Sequence, residues 1–278
     1  MPRKKTMKPG GKEKMLLPGR DPKELVLTVA GNIIKHLGVQ MYAGRPVPAI
    51  AELVSNAWDA DATQVDVRLP LDEPWDPDND EQTITVSDNG NGMTWDMVRD
   101  AYLNVGRDRR KVEKTDKSPG GRRLQGRKGV GKLAGFGIAD ILEVQTVYED
   151  KDPGLKEHVL IWFKLDLSDI TQVEQGPAPA DVVFAGPINK APKEARTAKG
   201  TTVILRHLHE RKARNADNFH HSMAQRFLLI GPRFRVRING EDLREEDIKL
   251  QWREPKKGWA RNVSTSLRHF VFAFSEHP

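Results

Sequence analysis

The sequence predicts an α+β fold, in which a mixed, largely antiparallel sheet is covered on one face by helices. Residues 48–62 place their apolar side chains on one face of a helix. Residues 65–69 alternate apolar and polar side chains, as the half-buried strands of such a sheet do. Asn239-Gly240, between two strand-like runs, is typical of a two-residue hairpin turn, which joins antiparallel strands.

The other elements follow from local patterns of the same kind. Helices are predicted at 21–38, 48–62 and 95–103, in a segment that ends near 137, and at 216–230. Strands are predicted at 65–69, 83–87, 141–147, 159–167, 200–205, 234–238 and 267–275. Asp21-Pro22 marks the first helix start, because Asp caps helices and Pro suits the first helical position. Residues 168–199 are rich in Pro, Ala and Gly, so we predict an irregular insertion there.

The composition fits a soluble protein of a reducing compartment. Hydrophobic residues make up 37% of the 278 residues and charged residues 30%, which is typical of a globular protein. There is no cysteine, which excludes disulfides, thiolate zinc sites and cysteine nucleophiles and suits the cytoplasm. No apolar run approaches the roughly 18 residues of a membrane helix, so we expect no membrane partner.

The net charge of +6 is carried by the amino-terminal tail. Residues 1–20 contain seven Lys/Arg and one acidic residue, which leaves 38 basic and 38 acidic residues for the rest of the chain. We interpret 1–20 as a flexible basic tail, which is either a solubilising arm or a contact with nucleic acid. Residues 21–230 are predicted to form the main domain and 231–278 the start of a following, transducer-like region.

A narrow polar stripe runs along the helix predicted at 48–62. Glu52, Asn56 and Asp59 lie at relative angles of about 0°, 40° and 340° around the helix axis. Apolar side chains occupy the opposite face, and the stripe contains no Lys or Arg. The stripe is either the solvated side of an ordinary amphipathic helix or a place where a carboxylate and an amide hold a water and Mg²⁺.

A glycine-rich turn follows the strand that ends at Asp88. Its sequence, DNGNG from 88 to 92, is compatible with a plain β-turn, because Asp, Asn and Gly favour turns for conformational reasons. Alternatively, Gly90 and Gly92 let a ligand approach the backbone closely, and Asp88 accepts a hydrogen bond from an amine in a pocket. An acidic loop just before this strand, at 72–81, is interpreted as solvated, with calcium binding as the alternative.

A second glycine-rich segment, GRKGVGKLAGFG, occupies 126–137. It matches the Gly and Lys positions of a P-loop, but Leu133 stands where that motif needs Ser or Thr, so we reject a P-loop. The segment is either a flexible basic loop or an anion site. In an anion site, backbone N–H groups would lie beside Lys128 and Lys132 in front of a helix start.

Taken in order, four segments resemble the boxes of the GHKL ATPase family, which includes DNA gyrase B, Hsp90-like chaperones, MutL and MORC proteins. They are ELVSNAWDA from Glu52, SDNGNGM from Ser87, GRKGVGKLAGFG from Gly126 and KGTTVILRHL from Lys199. The resemblance covers about 23–210 and is nearest to the Hsp90-like and MORC-like members. It implies the Bergerat fold with a mobile ATP lid at 107–128, and ATP and Mg²⁺ as cofactors.

The resemblance also implies a role for each site residue. Glu52 matches the general base that activates water, and Asn56 matches the magnesium ligand. Asp88 matches the carboxylate that accepts from the adenine amino group, with the Thr201 hydroxyl beside it. The other nucleotide-binding positions are implied to be Asp59 near the base of the pocket, Gly90, Gly92 and Met93 around the adenine, Asn104 on the phosphate side, and Lys128, Gly129, Val130, Gly131 and Lys132 around the phosphates.

The implied activity is that of a Mg²⁺-dependent ATPase that binds ATP and ADP and closes a homodimer. The basic tail, the basic stretch 206–214 and further arginines between 226 and 237 favour a DNA-associated clamp akin to MORC or MutL. The alternative is an Hsp90-like chaperone or protein-remodelling ATPase, because the strand from Lys199 is similar to that subfamily. Glu52 disfavours a phosphotransferase, since sensor histidine kinases usually lack a hydrolytic glutamate there. A nucleotide-binding scaffold without turnover is a further class.

Overall fold

An eight-stranded sheet organises the computed structural model, which describes residues 17–28, 39–105, 115–125, 131–150, 158–173, 177–209, 214–227 and 233–248. The strands are β1 (Val26–Leu27), β2 (Gln64–Arg68), β3 (Ile84–Asp88), β4 (Ala139–Glu149), β5 (His158–Asp166), β6 (Ala178–Pro179), β7 (Asp181–Pro187), β8 (Gly200–Leu208), β9 (Arg235–Ile238) and β10 (Glu241–Asp242). β1 and β6 form a separate antiparallel pair, and the other strands form the sheet.

The order across the sheet is β10-β9-β2-β3-β8-β4-β5-β7. Neighbouring strands are antiparallel except β2 and β9, which are parallel. The sheet is therefore mixed and largely antiparallel, and the predicted α+β class is confirmed. Because β8 lies between β3 and β4, the end of β3 at Asp88 meets the start of β8 and the second half of β4.

The helices are α1 (Pro46–Asp59), α2 (Trp95–Met97), α3 (Leu167–Gln172) and α4 (Ala216–Phe227), and the described residues 39–42 are also helical. α2 continues as a π-helical turn (Val98–Tyr102), and a 3₁₀ segment covers Gly131–Gly137. α1 buries Ile50, Leu53 and Val54 in the main core. The predicted polar stripe on its other side is half-buried. No helix in this part of the chain is long and apolar enough to cross a membrane.

Both faces of the sheet are buried along β4. Leu142 and Val144 point into the main core that α1 shares. Val147 instead packs with Trp162 and with Ala195 in a second, smaller cluster. Because side chains alternate along a strand, the segment after β7 that carries Ala195 lies on the face opposite to α1.

The prediction of an irregular insertion at 168–199 is wrong. The segment contains most of α3, then β6, β7 and a 3₁₀ turn. β7 buries Val182 and Phe184 and, among the described strands, lies at the edge of the sheet and pairs with β5 alone. An edge strand tolerates a proline such as Pro187 because one of its sides needs no ladder hydrogen bonds. The Pro-rich composition therefore concealed a strand.

The helix predicted at 21–38 is wrong over its first residues. Asp21 does cap a turn, since its side chain accepts from the Lys23 amide (2.9 Å), but this 3₁₀ turn ends at Glu24. β1 follows and pairs with β6, so strand pairing between distant segments overrides the local helical spacing. Residues 29–38 lie outside the described part of the chain.

The hairpin predicted at Asn239-Gly240 is confirmed. Both residues have positive φ, 49° and 93°, as a type I′ turn requires. The first strand of the hairpin, β9, pairs with β2, so the sheet continues past position 230, where we predicted the start of a following region. The assignment of 231–278 to such a region stays a prediction, and the strand predicted at 267–275 lies outside the described residues.

Candidate functional site

Asp88 ends β3, and the turn that follows encloses its carboxylate. Its Oδ1 accepts hydrogen bonds from the amides of Gly90 (2.8 Å) and Thr201 (3.2 Å), so Oδ2 is the oxygen that an amine on a ligand can use. The residue keeps some access to solvent, which gives a ligand a way in. Burial raises the pKa of Asp88 above its ordinary value, while the two amides and the Arg196 guanidinium oppose that rise.

Both glycines of the turn fit against the protein's own backbone. A Cβ on Gly90 would come within 2.7 Å of the Ala60 carbonyl oxygen. A Cβ on Gly92, where φ is +69°, would collide with the Val147 carbonyl group. The turn therefore needs glycine at both positions for its own packing. The close approach of a ligand to these glycines stays a prediction.

Two threonines on neighbouring strands lie next to the turn. The hydroxyls of Thr146 on β4 and Thr201 on β8 are 3.0 Å apart, and the Thr146 hydroxyl accepts from the Met93 amide (2.8 Å). Thr201 thus contacts Asp88 through its amide, while its hydroxyl pairs with Thr146. Met93 itself is partly buried and packs against the main core.

The polar stripe of α1 contacts different segments along its length. Glu52 faces Gly131, where an added Cβ would collide with Glu52 Oε2. The Asn56 side chain is half-buried and makes no hydrogen bond within the described residues. Asp59 accepts from the Gln125 amide (2.7 Å). The stripe therefore runs from the second glycine-rich segment, at Glu52, to the predicted lid, at Asp59.

Tyr42, the last residue of a short helical segment (39–42) before α1, also contacts the Glu52 carboxylate. Its hydroxyl hydrogen-bonds to Glu52, and burial, followed by the negative charge of Glu52, raises the pKa of Tyr42 to about 12. The hydroxyl therefore stays protonated, and able to donate, across the neutral pH range. Gly137 permits this placement, since a Cβ there would collide with Tyr42.

Lys132 and Asn104 meet at the end of the π-helical turn. The Lys132 ammonium donates to the carbonyl oxygens of Ala101 (2.5 Å) and Asn104 (2.8 Å) and lies 5.9 Å from the ring centre of Tyr102. The lysine thus joins the second glycine-rich segment to the residues after α2. Residues 128–130, which the family resemblance places around the phosphates, lie outside the described part of the chain.

Comparison with known proteins agrees with this arrangement. The model of a family described as "Histidine kinase-, DNA gyrase B-, and HSP90-like ATPase" matches residues 45–169, from the start of α1 into α3. Residues 45–169 therefore form a GHKL-type ATPase domain. A protein from Herpetosiphon aurantiacus, named "Putative type II restriction enzyme HgiDII", is 33% identical over 224 residues, which are 80% of this chain. The match covers 32% of that relative, so the chain spans about a third of its length.

Asp61, just after α1, contacts the segment predicted to form the lid of this GHKL domain. Its carboxylate accepts hydrogen bonds from the Ser118 hydroxyl and from the Gly120 amide (2.8 Å). It also accepts from the Asn91 side chain (3.2 Å), which belongs to the glycine-rich turn after Asp88. One carboxylate therefore connects the end of α1, the turn and the lid.

Trp58 on α1 forms a second anchor for the lid of the GHKL domain. Its indole N–H donates to the Arg123 carbonyl (2.9 Å), and the Arg122 guanidinium lies 4.5 Å from the centre of its ring. On its other side, Trp58 packs edge-on against Phe234, with 5.3 Å between ring centres. The second half of the lid, residues 115–125, is thus docked on α1.

Sequence reasoning missed four residues that shape this GHKL site: Tyr42, Asp61, Thr146 and Arg196. Asp61 could have been found from the sequence, because it is a second carboxylate two positions after Asp59, the last residue of the Glu52 stripe. The other three lie in segments without a motif. They reach the site only through strand pairing and packing between distant parts of the chain.

Proposed function

We propose that the domain binds ATP along α1, with the adenine at Asp88 and the phosphates at the second glycine-rich segment. The proposal is carried by the contact of both glycine-rich segments with this one helix. The Asn91 amide donates to the Ala60 carbonyl at the helix end (2.9 Å), whereas Gly131 fits against Glu52. The helix rises about 12 Å between positions 52 and 60. A ligand with an amine donor at one end and an anionic group at the other fits along it.

We propose hydrolysis as the reaction at the phosphate end. Glu52 is the general base for the attacking water, and Asn56, one helical turn further on, is the protein ligand of Mg²⁺. Bound Mg²⁺ would neutralise phosphate charge and orient the transferred group. As the family resemblance implies, the backbone amides of 129–131 would donate to phosphate oxygens, since amides in front of a helical segment favour anions.

The donor chemistry around Asn56 suits Mg²⁺ bound together with a nucleotide. Among the described residues, no three His, Asp or Glu side chains are grouped so that they could hold a metal, and this includes the acidic loop 72–81. Mg²⁺ keeps several waters and binds through few protein side chains plus substrate phosphates. A single amide oxygen at Asn56 is therefore sufficient once the phosphates are present.

ADP binding tests the adenine assignment. Asp88→Asn removes the charge of the acceptor and can present an NH₂ group to the adenine amine. A hydrogen bond to a charged group contributes ~1.5–3 kcal/mol, so affinity for ADP and ATP should fall about 10- to 150-fold in calorimetry. The matched control is Asp66→Asn on β2, whose carboxylate pairs with Arg237 (3.1 Å) and which should leave affinity unchanged. Parental ADP affinity in Asp88→Asn would refute the assignment.

We propose further that ATP closes a homodimer of this protein on DNA. Two observations support DNA as the partner: the name of the relative is that of a restriction enzyme, and the amino-terminal tail is strongly basic. The arginines of the folded part support it less, because Arg206 pairs with Glu143 (3.0 Å) and Arg237 with Asp66.

Sedimentation and DNA titration test these two steps separately. A non-hydrolysable ATP analogue with Mg²⁺ should produce a dimer, and ADP a monomer; a monomer in both states would contradict closure. DNA affinity should fall steeply as salt is raised, since binding releases counterions. If the protein does not bind DNA, the protein-remodelling alternative is favoured instead.

A further inference from the structure

Arg196 lies behind the end of β3, on the face of the sheet opposite to α1. The residue before it, Ala195, packs in the second cluster with Val147 and Trp162. The Arg196 amide donates to the side-chain oxygen of Gln145 on β4 (2.7 Å). From this position the half-buried side chain extends along the back of β3 and β8.

The guanidinium uses all five of its N–H donors. Nε donates to the Ala198 carbonyl (2.6 Å). Nη1 donates to the hydroxyls of Ser87 (2.6 Å) and Thr202 (2.7 Å). Nη2 donates to the carbonyls of Lys199 (2.6 Å) and Asp88. One side chain therefore ties the last two residues of β3 to the first residues of β8.

Gly200 is adapted to this contact. Its φ of +117° is a conformation that residues with a side chain rarely adopt. A Cβ there would collide with the Asp88 carbonyl and lie 2.6 Å from Arg196 Nη2. The chain thus lacks a side chain at the one place where it would separate the guanidinium from Asp88. Arg196 therefore supplies the hydrogen-bond donor, and Gly200 leaves the space that lets it reach the Asp88 carbonyl.

We propose that Arg196 is a positioning residue for adenine recognition, which it supports from the far side of the sheet by fixing Asp88. The inference rests on the proposed role of Asp88 in binding adenine. On the α1 side of the sheet, Asp88 Oδ1 accepts hydrogen bonds from two backbone amides. On the opposite side, the Asp88 carbonyl oxygen accepts a hydrogen bond from Arg196. With backbone and carboxylate both held, Oδ2 meets the adenine amine already oriented, which lowers the ordering cost of binding.

Arg196 also favours the charged form of Asp88. Burial raises the pKa of the Asp88 carboxyl, and the nearby guanidinium opposes this. The acid that contacts the same turn from the end of α1 is Asp61, which accepts from the Asn91 side chain and from the Gly120 amide. Without Arg196, the pKa of Asp88 therefore rises further. Without Arg196, the carboxylate is therefore protonated at a higher pH than in the parent. The negative charge that binds the adenine amine is lost at that higher pH.

The test is ADP binding by the full chain, measured by calorimetry from acidic to neutral pH. Arg196→Met, which keeps the stem but removes charge and donors, should lower ADP affinity about tenfold or more at neutral pH. It should also raise the pH at which affinity is half lost. The matched control is Arg206→Met on the same sheet face, where Glu143 keeps Lys164 as an ion-pair partner (3.6 Å). That variant should bind ADP as the parent does.

A double-mutant cycle separates positioning from general stabilisation. If Arg196 acts through Asp88, then Arg196→Met should cost little further affinity in the Asp88→Asn background, because the interaction it supports is already absent. Arg196→Lys keeps the charge but has fewer donors, so it should keep the parental pH profile and lose part of the affinity. This variant also decides the question if Arg196→Met does not fold: parental ADP affinity in Arg196→Lys would overturn the inference.

The remaining outcomes are equally distinct. If Asp88→Asn binds ADP as the parent does, the proposed adenine site is wrong and the inference about Arg196 falls with it. If Asp88→Asn loses affinity but Arg196→Met matches Arg206→Met, the adenine site stands and only the positioning role is overturned. Fully additive losses with an unchanged pH profile would also overturn it, since Arg196 would then merely stabilise the fold.

Discussion

Glu52 and Asn56 lie on adjacent turns of one helix and have different tasks in the proposed mechanism. Glu52 contacts Tyr42 and faces Gly131, whereas the Asn56 side chain has no hydrogen-bond partner within the described residues. The contact with Tyr42 can keep the Glu52 carboxylate in one orientation, as a general base requires. The Asn56 amide oxygen is available to coordinate a cation. The two residues should therefore fail in different ways when mutated.

Glu52→Ala should bind ATP nearly as the parent does but hydrolyse it about 10²- to 10⁴-fold more slowly, since a positioned base contributes that much to rate. Asn56→Ala should lose the magnesium-dependent part of ATP binding. Phosphate release and nucleotide titration, run together, distinguish the two. Glu81→Ala, in the exposed acidic loop, is the control for the charge change. Hydrolysis at the parental rate by Glu52→Ala would disprove the mechanism even though the fold is right.

Tyr42→Phe should slow hydrolysis about tenfold without changing ADP affinity. The substitution keeps the buried ring but removes the hydroxyl bound to Glu52, and a hydrogen bond to a charged group contributes ~1.5 kcal/mol or more. Tyr148→Phe is the control: burial also raises the pKa of Tyr148 to about 12, yet Glu52 is not among the groups that shift it. A fall in ADP affinity equal to the fall in rate would show that Tyr42 supports the whole pocket.

Among the elements, α1 joins the lid to both ends of the site. Residues 107–132 carry eleven basic and three acidic side chains, and the mutual repulsion of the basic ones favours a mobile lid. Its described part, 115–125, is nevertheless docked, since Asp61 accepts from Ser118 and Gly120 and Trp58 contacts Arg122. Charge repulsion is thus opposed at specific points by hydrogen bonds to one carboxylate.

Limited trypsin digestion should show this division of the lid. We expect cleavage within 107–114 that slows when a non-hydrolysable ATP analogue and Mg²⁺ are added, and protection of Arg122 and Arg123 in both states. Asp61→Asn, which suits the positive φ of 61° at that position, should expose Arg122 and Arg123 by weakening the anchor about 2 kcal/mol, or roughly 30-fold in local opening.

The control for the lid experiment is Asp116→Asn, which makes the same charge change on an exposed side chain of the lid. It should be cleaved as the parent is. Cleavage of 107–114 that does not respond to nucleotide would argue against lid closure. Protection of Arg122 and Arg123 in Asp61→Asn would show that the contacts of Trp58 and Asp59 hold this part of the lid without Asp61.

At the scale of the whole molecule, several arginines of the described residues already form ion pairs with carboxylates. Arg20 is part of the folded body, where it pairs with Asp96 (3.0 Å), and Leu17 packs against the main core. Arg235 and Arg237 both lie close to Asp242, at 3.8 and 3.7 Å. The amino-terminal basic residues before Leu17 are therefore better candidates for contact with an external polyanion than these arginines.

Removal of 1–16 should reduce DNA affinity and flatten its dependence on salt, by about 0.9 in log–log slope for each phosphate that the tail no longer neutralises. This truncation removes six basic residues and leaves the Arg20 ion pair in place. Fluorescence titration of the parent, the truncation and a full-length variant with those six residues changed to Gln measures the effect. Equal slopes for all three would assign the tail to solubility. Weaker binding by the truncation but not by the Gln variant would mean that charge is not the cause.

Local sequence patterns were sufficient to predict the elements that carry the proposed site residues. Helical spacing placed Glu52, Asn56 and Asp59 on one side of α1, and strand alternation followed by DNGNG placed Asp88 at a strand end. The hairpin at Asn239-Gly240 followed in the same way. These features depend on residues within a few positions of one another. A short stretch of sequence is therefore enough to show the periods of helix and strand and the conformational preferences of Asn and Gly.

Only the tertiary structure decided which residues act on those groups. Arg196 reaches Ser87 and Asp88, 109 and 108 positions away, because β8 lies between β3 and β4. The same strand order pairs Thr146 with Thr201 and makes β7 an edge strand that tolerates prolines. Strand order and register result from burying many side chains at once, and no short window of sequence contains that information. The sequence therefore specified the reactive groups, and long-range packing specified their partners.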